Sequence, residues 1–211
     1  MIRIAIVDDH QIVIDGLKPL LKSRKNIKVV AEATNAAAML ELLKTHPVDV
    51  LLIDLMMPGM TGFELAMELR KDATTKIKIL ALSMSEDGAL ITNMIEDAKV
   101  DGYIPKVAGK KELLEAIELL ARGEKYFSKQ ITEQYESYKL IQTEHEKFNL
   151  TARELEIIGC IVQHLSNKEI AAKLFISGRT VETHRKNIYR KTNTKGEAAL
   201  IKFVKQYKLS Q

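Results

Sequence analysis

Apolar runs of strand length alternate with helix-spaced segments through the first part of the chain. Ile2–Val7, residues 48–53 and residues 77–82 are continuous apolar-rich runs, Ile27–Ala33 opens on β-branched residues, and residues 100–104 make a further short run. Between them, residues 11–24 carry Ile14, Leu17, Leu20 and Leu21 at helical spacing, and residues 36–44, 63–70, 86–97 and Lys110–Ala121 read as helices too. Strands alternating with helices predict βα units and a parallel sheet. Strands that are apolar throughout, rather than at every second residue, belong to a sheet covered on both faces. The expectation is an α/β fold: a doubly wound five-stranded parallel sheet in the order 2-1-3-4-5, with ligands bound at the carboxyl ends of its strands.

The pattern breaks at Gly123, a residue suited to stopping a helix. Residues 123–147 are polar with scattered apolar positions and read as a linker with room for some helix. From Phe148 helical spacing returns, punctuated by three capping-box pairs: Thr151 with Glu154, Ser166 with Glu169, and Thr194 with Glu197. Ser177 can cap a further helix without a reciprocal Glu, because Thr180 stands three residues on. Helices should therefore start near 152, 167, 178 and 195. Only Phe175 and Ile176 separate the second from the third, as a helix-turn-helix requires. The expected organisation is one domain over 1–122, a linker over 123–147, and an all-α four-helix domain over 148–211.

Charge divides along the same line. The whole chain carries +4, but residues 1–125 carry −2 and residues 148–211 carry +7. A basic terminal third on a mildly acidic body calls for a polyanionic partner of that third alone. No apolar stretch reaches the roughly 18 residues of a membrane helix, so no membrane partner is expected. MIRIAIVDDH places two carboxylates directly after its apolar run and does not read as a signal peptide. The lone Cys160 excludes an internal disulfide, fits a reducing cytoplasm, and sits among Ile157, Ile158 and Ile161 as a small core residue.

Asp8 and Asp9 follow the first strand, Asp54 ends the third, Ser83 follows the fourth and Lys106 the fifth. A strand-end Asp by itself is most simply a helix cap. All five groups at the ends of their own strands are another matter. In a parallel sheet they converge on one rim, where clustered carboxylates need a cation and oxygen ligands suit Mg²⁺. A carboxylate nucleophile, a metal, and donors for phosphoryl oxygens are the parts of an aspartyl-phosphate site. His10 beside the acidic pair reads as a residue at a helix N-terminus rather than a ligand, since Mg²⁺ prefers oxygen. Pro58, Gly59 and Gly62 read as loop punctuation, and Met56, Met57 and Met60 as loop packing.

The segments IVDDH, LLIDLMMPGMTG, ALSMS and GYIPK resemble the receiver domain of response regulators over residues 1–122. The resemblance implies a flavodoxin-like fold and a residue-by-residue assignment. Asp54 would be the phosphoacceptor. Asp8 and Asp9 would hold Mg²⁺ together with Asp54 and the backbone carbonyl of Met56. Ser83 would bond the phosphoryl group and shift towards it, Lys106 would pair with it, and Tyr103 would be the aromatic switch that turns inward as Ser83 moves. Receivers often carry a cis proline after the lysine; here Pro105 precedes Lys106 and Val107 follows, so no cis bond is expected at 106–107.

The second domain, FNLTARELEII through LSNKEIAAKLFISGRTVETHRKNIYRK, resembles the LuxR-type helix-turn-helix of NarL/FixJ regulators. Val181, His184 and Ile188 fall on one face of its recognition helix and should pack inward. Arg179, Glu182, Thr183, Lys186 and Arg190 lie opposite, long and rich in hydrogen-bonding groups, as major-groove readout requires. Glu182, Thr183 and Lys186 are expected nearest the base edges. Lys168, Arg179 and Arg190 are expected at phosphates, with Thr180 at the same surface. Thr192, Thr194 and Gly196 depart from the family, which commonly places apolar residues at the first two and Arg at the third.

The resemblance implies a two-component regulator rather than an enzyme in its own right. A sensor histidine kinase would supply the phosphoryl group, and the protein would catalyse its own phosphorylation and dephosphorylation. Homodimerisation through a surface over 86–106 would follow, then binding to double-stranded promoter DNA, with RNA polymerase as a further partner. Three other readings fare worse. An aspartate-nucleophile phosphatase needs a second Asp at position 56, which is Met. A flavin module needs a phosphate-cradling loop where Asp8, Asp9 and His10 stand. A regulator with a degenerate receiver would not keep all five site residues.

Overall fold

The computed structural model describes residues 1–72, 75–85 and 87–207. They form two compact units, Met1–Glu136 and Ser137–Gln211. The first unit runs β1 (Ile2–Val7), α1 (Gln11–Lys22), β2 (Ile27–Ala33), α2 (Ala36–Thr45), β3 (Val50–Asp54), α3 (Gly62–Lys71), β4 (Lys78–Ser83), α4 (Gly88–Glu96), β5 (Gly102–Pro105) and α5 (Lys110–Ala121). Helical spacing predicts the fourth helix from 86; Glu86 lies outside the described residues, and Asp87 caps α4 by accepting from Ala89 N at 2.9 Å.

All strand pairs are parallel, in the order β2-β1-β3-β4-β5 with a sixth strand after β5. Successive side chains of the buried strands go to opposite faces. Ile4 and Ile6 of β1, with Val50 and Leu52 of β3, pack with Ile14, Leu21, Leu113 and Ile117 from α1 and α5. Ala5 and Val7, with Leu51 and Ile53, pack with Met39, Leu65 and Met94 from α2, α3 and α4. Two covered faces explain why these strands are apolar at every position.

A sixth strand and a helix lie within residues 123–147. Tyr126–Phe127 forms β6, paired with β5 through Gly102↔Tyr126 and Tyr103↔Phe127, and Lys129–Lys147 forms α6. Ile131 of α6 is buried in the first unit's core and Tyr135 donates to Glu96 Oε1 at 2.7 Å, so the first unit extends past residue 122.

The second unit contains α7 (Ala152–Val162), α8 (Asn167–Lys173), α9 (Gly178–Lys191) and α10 (Glu197–Gln206). Capping boxes form at Thr151–Glu154 and Ser166–Glu169, and Ser177 accepts from Thr180 N at 3.1 Å. The third expected box does not form. Gly196, at φ 92°, takes the N-cap position of α10, which leaves Thr194 two residues outside; its hydroxyl meets that of Thr192 at 2.9 Å. Ile157, Ile158, Ile161, Ile170, Val181, Ile188, Leu200 and Val204 make the core, with Cys160 buried among them. Thr192, where the family prefers an apolar residue, is buried and donates to Ile188 O at 2.8 Å, so its hydroxyl is satisfied within the helix.

Candidate functional site

Parallel pairing brings the carboxyl ends of β1, β3, β4 and β5 to one rim. Ligand atoms of Asp8, Asp9, His10 and Asp54 all lie within 4.8 Å of one another there. Asp8 is 1% and Asp54 3% exposed, so both carboxylates are effectively out of water. Lys106 reaches in from the end of β5, its Nζ 2.7 Å from Asp8 Oδ2 and 2.9 Å from Asp54 Oδ1. Lys106 N also donates to Ser83 O at 2.8 Å, tying the end of β5 to that of β4.

Charge and burial compete here. Burial pushes the Asp54 carboxyl up from its ordinary pKa, Lys106 pulls it down, and neighbouring Asp8 adds to the rise; the net shift is upward. Burial would lower the Lys106 ammonium, but its bonds to Asp8 and Asp54 outweigh that and hold it raised. Asp8 Oδ1 accepts from His10 N at 2.9 Å, and His10 Nδ1 lies 2.8 Å from Asp9 Oδ1. Apart from the Lys106 and His10 nitrogens that face them, the buried Asp8 Oδ2 and Asp9 Oδ1 have no partner among the described residues. Three carboxylates converging this closely suit a small oxygen-seeking cation, so the residues fit Mg²⁺.

Ser83 is buried and its hydroxyl accepts from Ser85 N at 2.9 Å. Tyr103, expected as a switch that turns inward, is fully buried here; burial raises its pKa and Ser83 opposes the rise. Met56 N donates weakly to Asp54 Oδ1 at 3.4 Å, and the Met56 side chain is exposed. Gly62 is more than loop punctuation: a Cβ there would lie 2.1 Å from Asp54 O, so the start of α3 packs directly on the backbone of Asp54. No cis peptide bond occurs among the described residues, at 106–107 or elsewhere.

On α9, Val181 and Ile188 are buried and His184, between them on the same face, is half-buried. Arg179, Glu182, Thr183, Lys186 and Arg190 are exposed, as is Lys168 on α8. Thr180 is half-buried and its hydroxyl meets that of Ser177 at 2.8 Å. The remaining cations of the helix are committed internally. Arg185 donates to Tyr189 Oη and Glu197 Oε2, each at 2.8 Å, and Lys191 donates to buried Glu154 Oε2 at 2.7 Å. In the sequence Glu154 reads only as a capping residue; its second partner comes from a distant helix and leaves no local signal.

The class that this fold and rim define is a receiver joined to a helix-turn-helix unit. Residues 4–118 match the response regulator receiver domain family, and residues 148–204 match the bacterial regulatory proteins of the luxR family. The nitrate/nitrite response regulator protein NarP of Escherichia coli is 37% identical over 97% of this chain and 95% of its own length. The oxygen regulatory protein NreC of Staphylococcus epidermidis is 30% identical over 98% of both chains. Among solved structures, RcsB of Salmonella enterica bound to promoter P1flhDC with phosphomimetic BeF3⁻ matches with TM-score 0.64 and 25% identity, over 96% of this chain and 97% of that one. The chain belongs to the NarL/FixJ family of response regulators, two-component transcription regulators with a receiver domain and a LuxR-type DNA-binding domain.

Proposed function

We propose that phosphoryl transfer from a sensor histidine kinase to Asp54, dependent on Mg²⁺, drives dimerisation of this chain and its sequence-specific binding to promoter DNA, in the cytoplasm. The observation that carries the reading is Asp54 itself: buried at the end of β3, beside Asp8, and held 2.9 Å from Lys106 Nζ. An Asp54 carboxylate oxygen would attack the phosphorus of a phosphohistidine, forming an acyl phosphate as the bond to the imidazole nitrogen breaks. Lys106 and the Ser83 hydroxyl would stabilise the phosphoryl oxygens by charge and hydrogen bonding. Mg²⁺, held by Asp8, Asp9, Asp54 and the Met56 carbonyl, would neutralise charge developing on those oxygens. Ile12, Met56, Met84 and Val107 are all exposed in the segments that follow strand ends, which supports a protein phosphodonor with apolar surface.

In this reading residues 1–122 are the receiver, residues 123–147 the connection, which adds β6 and the start of α6 to the receiver's sheet and core, and residues 148–211 the DNA-binding domain. Lys168, Arg179, Thr180 and Arg190 would engage the backbone, and Glu182, Thr183 and Lys186 the bases. RcsB was solved on promoter DNA with a phosphomimetic, which supports the same sequence of events here, and RNA polymerase is the partner such a regulator would address. The test is incubation with Mg²⁺ and a small acyl phosphate, read by intact mass and sedimentation. One acid-labile phosphoryl group and a shift towards dimer are expected, both lost in Asp54→Asn. Uptake at wild-type rate by Asp54→Asn would overturn the assignment, and an unchanged mass distribution would remove the dimerisation step.

A further inference from the structure

The turn between α8 and α9 contains a side chain that folding does not explain. Phe175 has φ 54°, in the left-handed region that bulky L side chains rarely occupy. Its side chain is 95% exposed, so burial does not offset the strain. Glycine would take this conformation freely. Its neighbours meet the needs of the fold without its ring. Leu174 and Ile176 pack against the core, Ser177 caps α9, and Arg153 Nη2 donates to Leu174 O at 2.6 Å. The left-handed residue itself closes α8, with Ile176 N donating to Ala171 O at 3.0 Å, as His164 and Asn193 close α7 and α9. That cap does not require a bulky ring held in solvent, and the ring points to a role outside folding.

The surroundings narrow what the ring meets. Lys173 and Arg179, on either side of the turn, are both exposed, and residues 148–211 carry +7. The partner should be anionic yet offer apolar surface within reach of those cations. DNA offers both, since deoxyribose carbons and thymine methyl groups lie between its phosphates. Phe175 stands two residues before the N-cap of α9, on the approach to Arg179 and Thr180, which in the proposed function engage the DNA backbone, where sugar carbons lie between the phosphates.

We propose that Phe175 packs against the apolar surface of bound DNA, deoxyribose or thymine methyl, at the rim of the groove that α9 enters. The proposal rests on the reading of residues 148–211 as a DNA-binding domain. In full-length protein, Phe175→Gly relaxes the turn and should leave the melting temperature unchanged or raised. It should weaken binding to a duplex selected from random sequence roughly tenfold, the loss of one buried aromatic contact. Because an apolar contact releases no counterions, the salt dependence should keep its slope. Phe175→Leu should retain most of the affinity. Replacing thymines of the site by uracil separates the two surfaces: a loss in wild type but not in Phe175→Gly assigns the methyl group, and no loss assigns deoxyribose. If Phe175→Gly binds as tightly as wild type, the contact does not exist and the proposal fails alone. If wild type selects no duplex at all, the DNA-binding reading fails and the proposal with it.

Discussion

Replacing Asp54 by Asn removes one carboxylate from the cluster of Asp8, Asp9 and Asp54 that Lys106 faces, without changing the shape of the side chain. Asp8 and Asp54 oxygens within 4.8 Å repel by about 3.5 kcal/mol at an effective dielectric of about 20. Lys106, 2.9 Å from Asp54, attracts it by about 6 kcal/mol on the same scale. Asp9 adds further repulsion, so the Coulomb terms largely cancel, and the cost of burying a carboxylate that is 3% exposed decides the sign. That agrees with the raised pKa of Asp54, whose first cause is burial. The Asp54→Asn substitution would leave Lys106 paired with Asp8 at 2.7 Å, so no buried charge is orphaned. The expected gain for metal-free Asp54→Asn is about 1 kcal/mol, or about 4 °C in the melting temperature of the first unit. Since folding raises this pKa, the folded state holds the proton more tightly. Stability from this group is therefore fully present below the unfolded carboxylate pKa and lost as pH rises through the folded value. The advantage of the mutant should accordingly be present at about pH 7.5 and vanish near the unfolded Asp pKa of about 3.9. Calorimetry of the full chain with and without Mg²⁺ measures it, and the transition that moves with Mg²⁺ reports the first unit. Mg²⁺ should stabilise wild type more than the mutant, by RT ln(1 + [Mg²⁺]/Kd) in each case. A metal-free Asp54→Asn less stable than wild type at neutral pH would show that the lysine pair outweighs burial, and would refute the reasoning.

Gly62→Ala forces a methyl group against Asp54 O and the Leu55 backbone; a loss of about 2 kcal/mol or more in urea unfolding is expected, with slower phosphoryl uptake. Glu154→Gln removes the charge that Lys191 and Thr151 hold. Burial pushes this carboxyl up, but the bonds from Lys191 and Thr151 bring it below its usual range. Its stabilisation is present above the unfolded Glu pKa and lost as pH falls through the folded value, so the mutant should melt lower at neutral pH, by about 2 kcal/mol, and match wild type in acid. Lys186→Ala should cost roughly 1–3 kcal/mol and relax base preference at one position, whereas Arg190→Ala should weaken all sequences alike and lower the salt slope by about one; titrations on selected and scrambled duplexes that gave the reverse would exchange their roles.

What could be read from the chain was whatever a short stretch carries by itself. Continuous apolar strands ending in Asp54, Ser83 or the turn to Lys106 declare both the sheet and its functional rim, because strand direction in a parallel sheet sends all those ends one way. Capping boxes announce α7 and α8, each set by four neighbouring residues. The failures share a cause: the deciding partner lies far away in sequence. Tyr126–Phe127 is too short to read as a strand and becomes one only because the edge of β5 is open to it. Ile131 and Tyr135 look like scattered apolar residues in a polar stretch until α4 and the core beside Tyr103 receive them. The Thr194–Glu197 pattern meets the capping rule, yet Gly196 at positive φ starts α10 too late for it, and Glu197 bonds Arg185 instead. The same reasoning separates the cations of α9. Periodicity alone sets Arg179, Lys186 and Arg190 on the face opposite Val181 and Ile188, but it cannot say that Arg185 and Lys191 are committed to Glu197 and Glu154, because those partners lie on other helices.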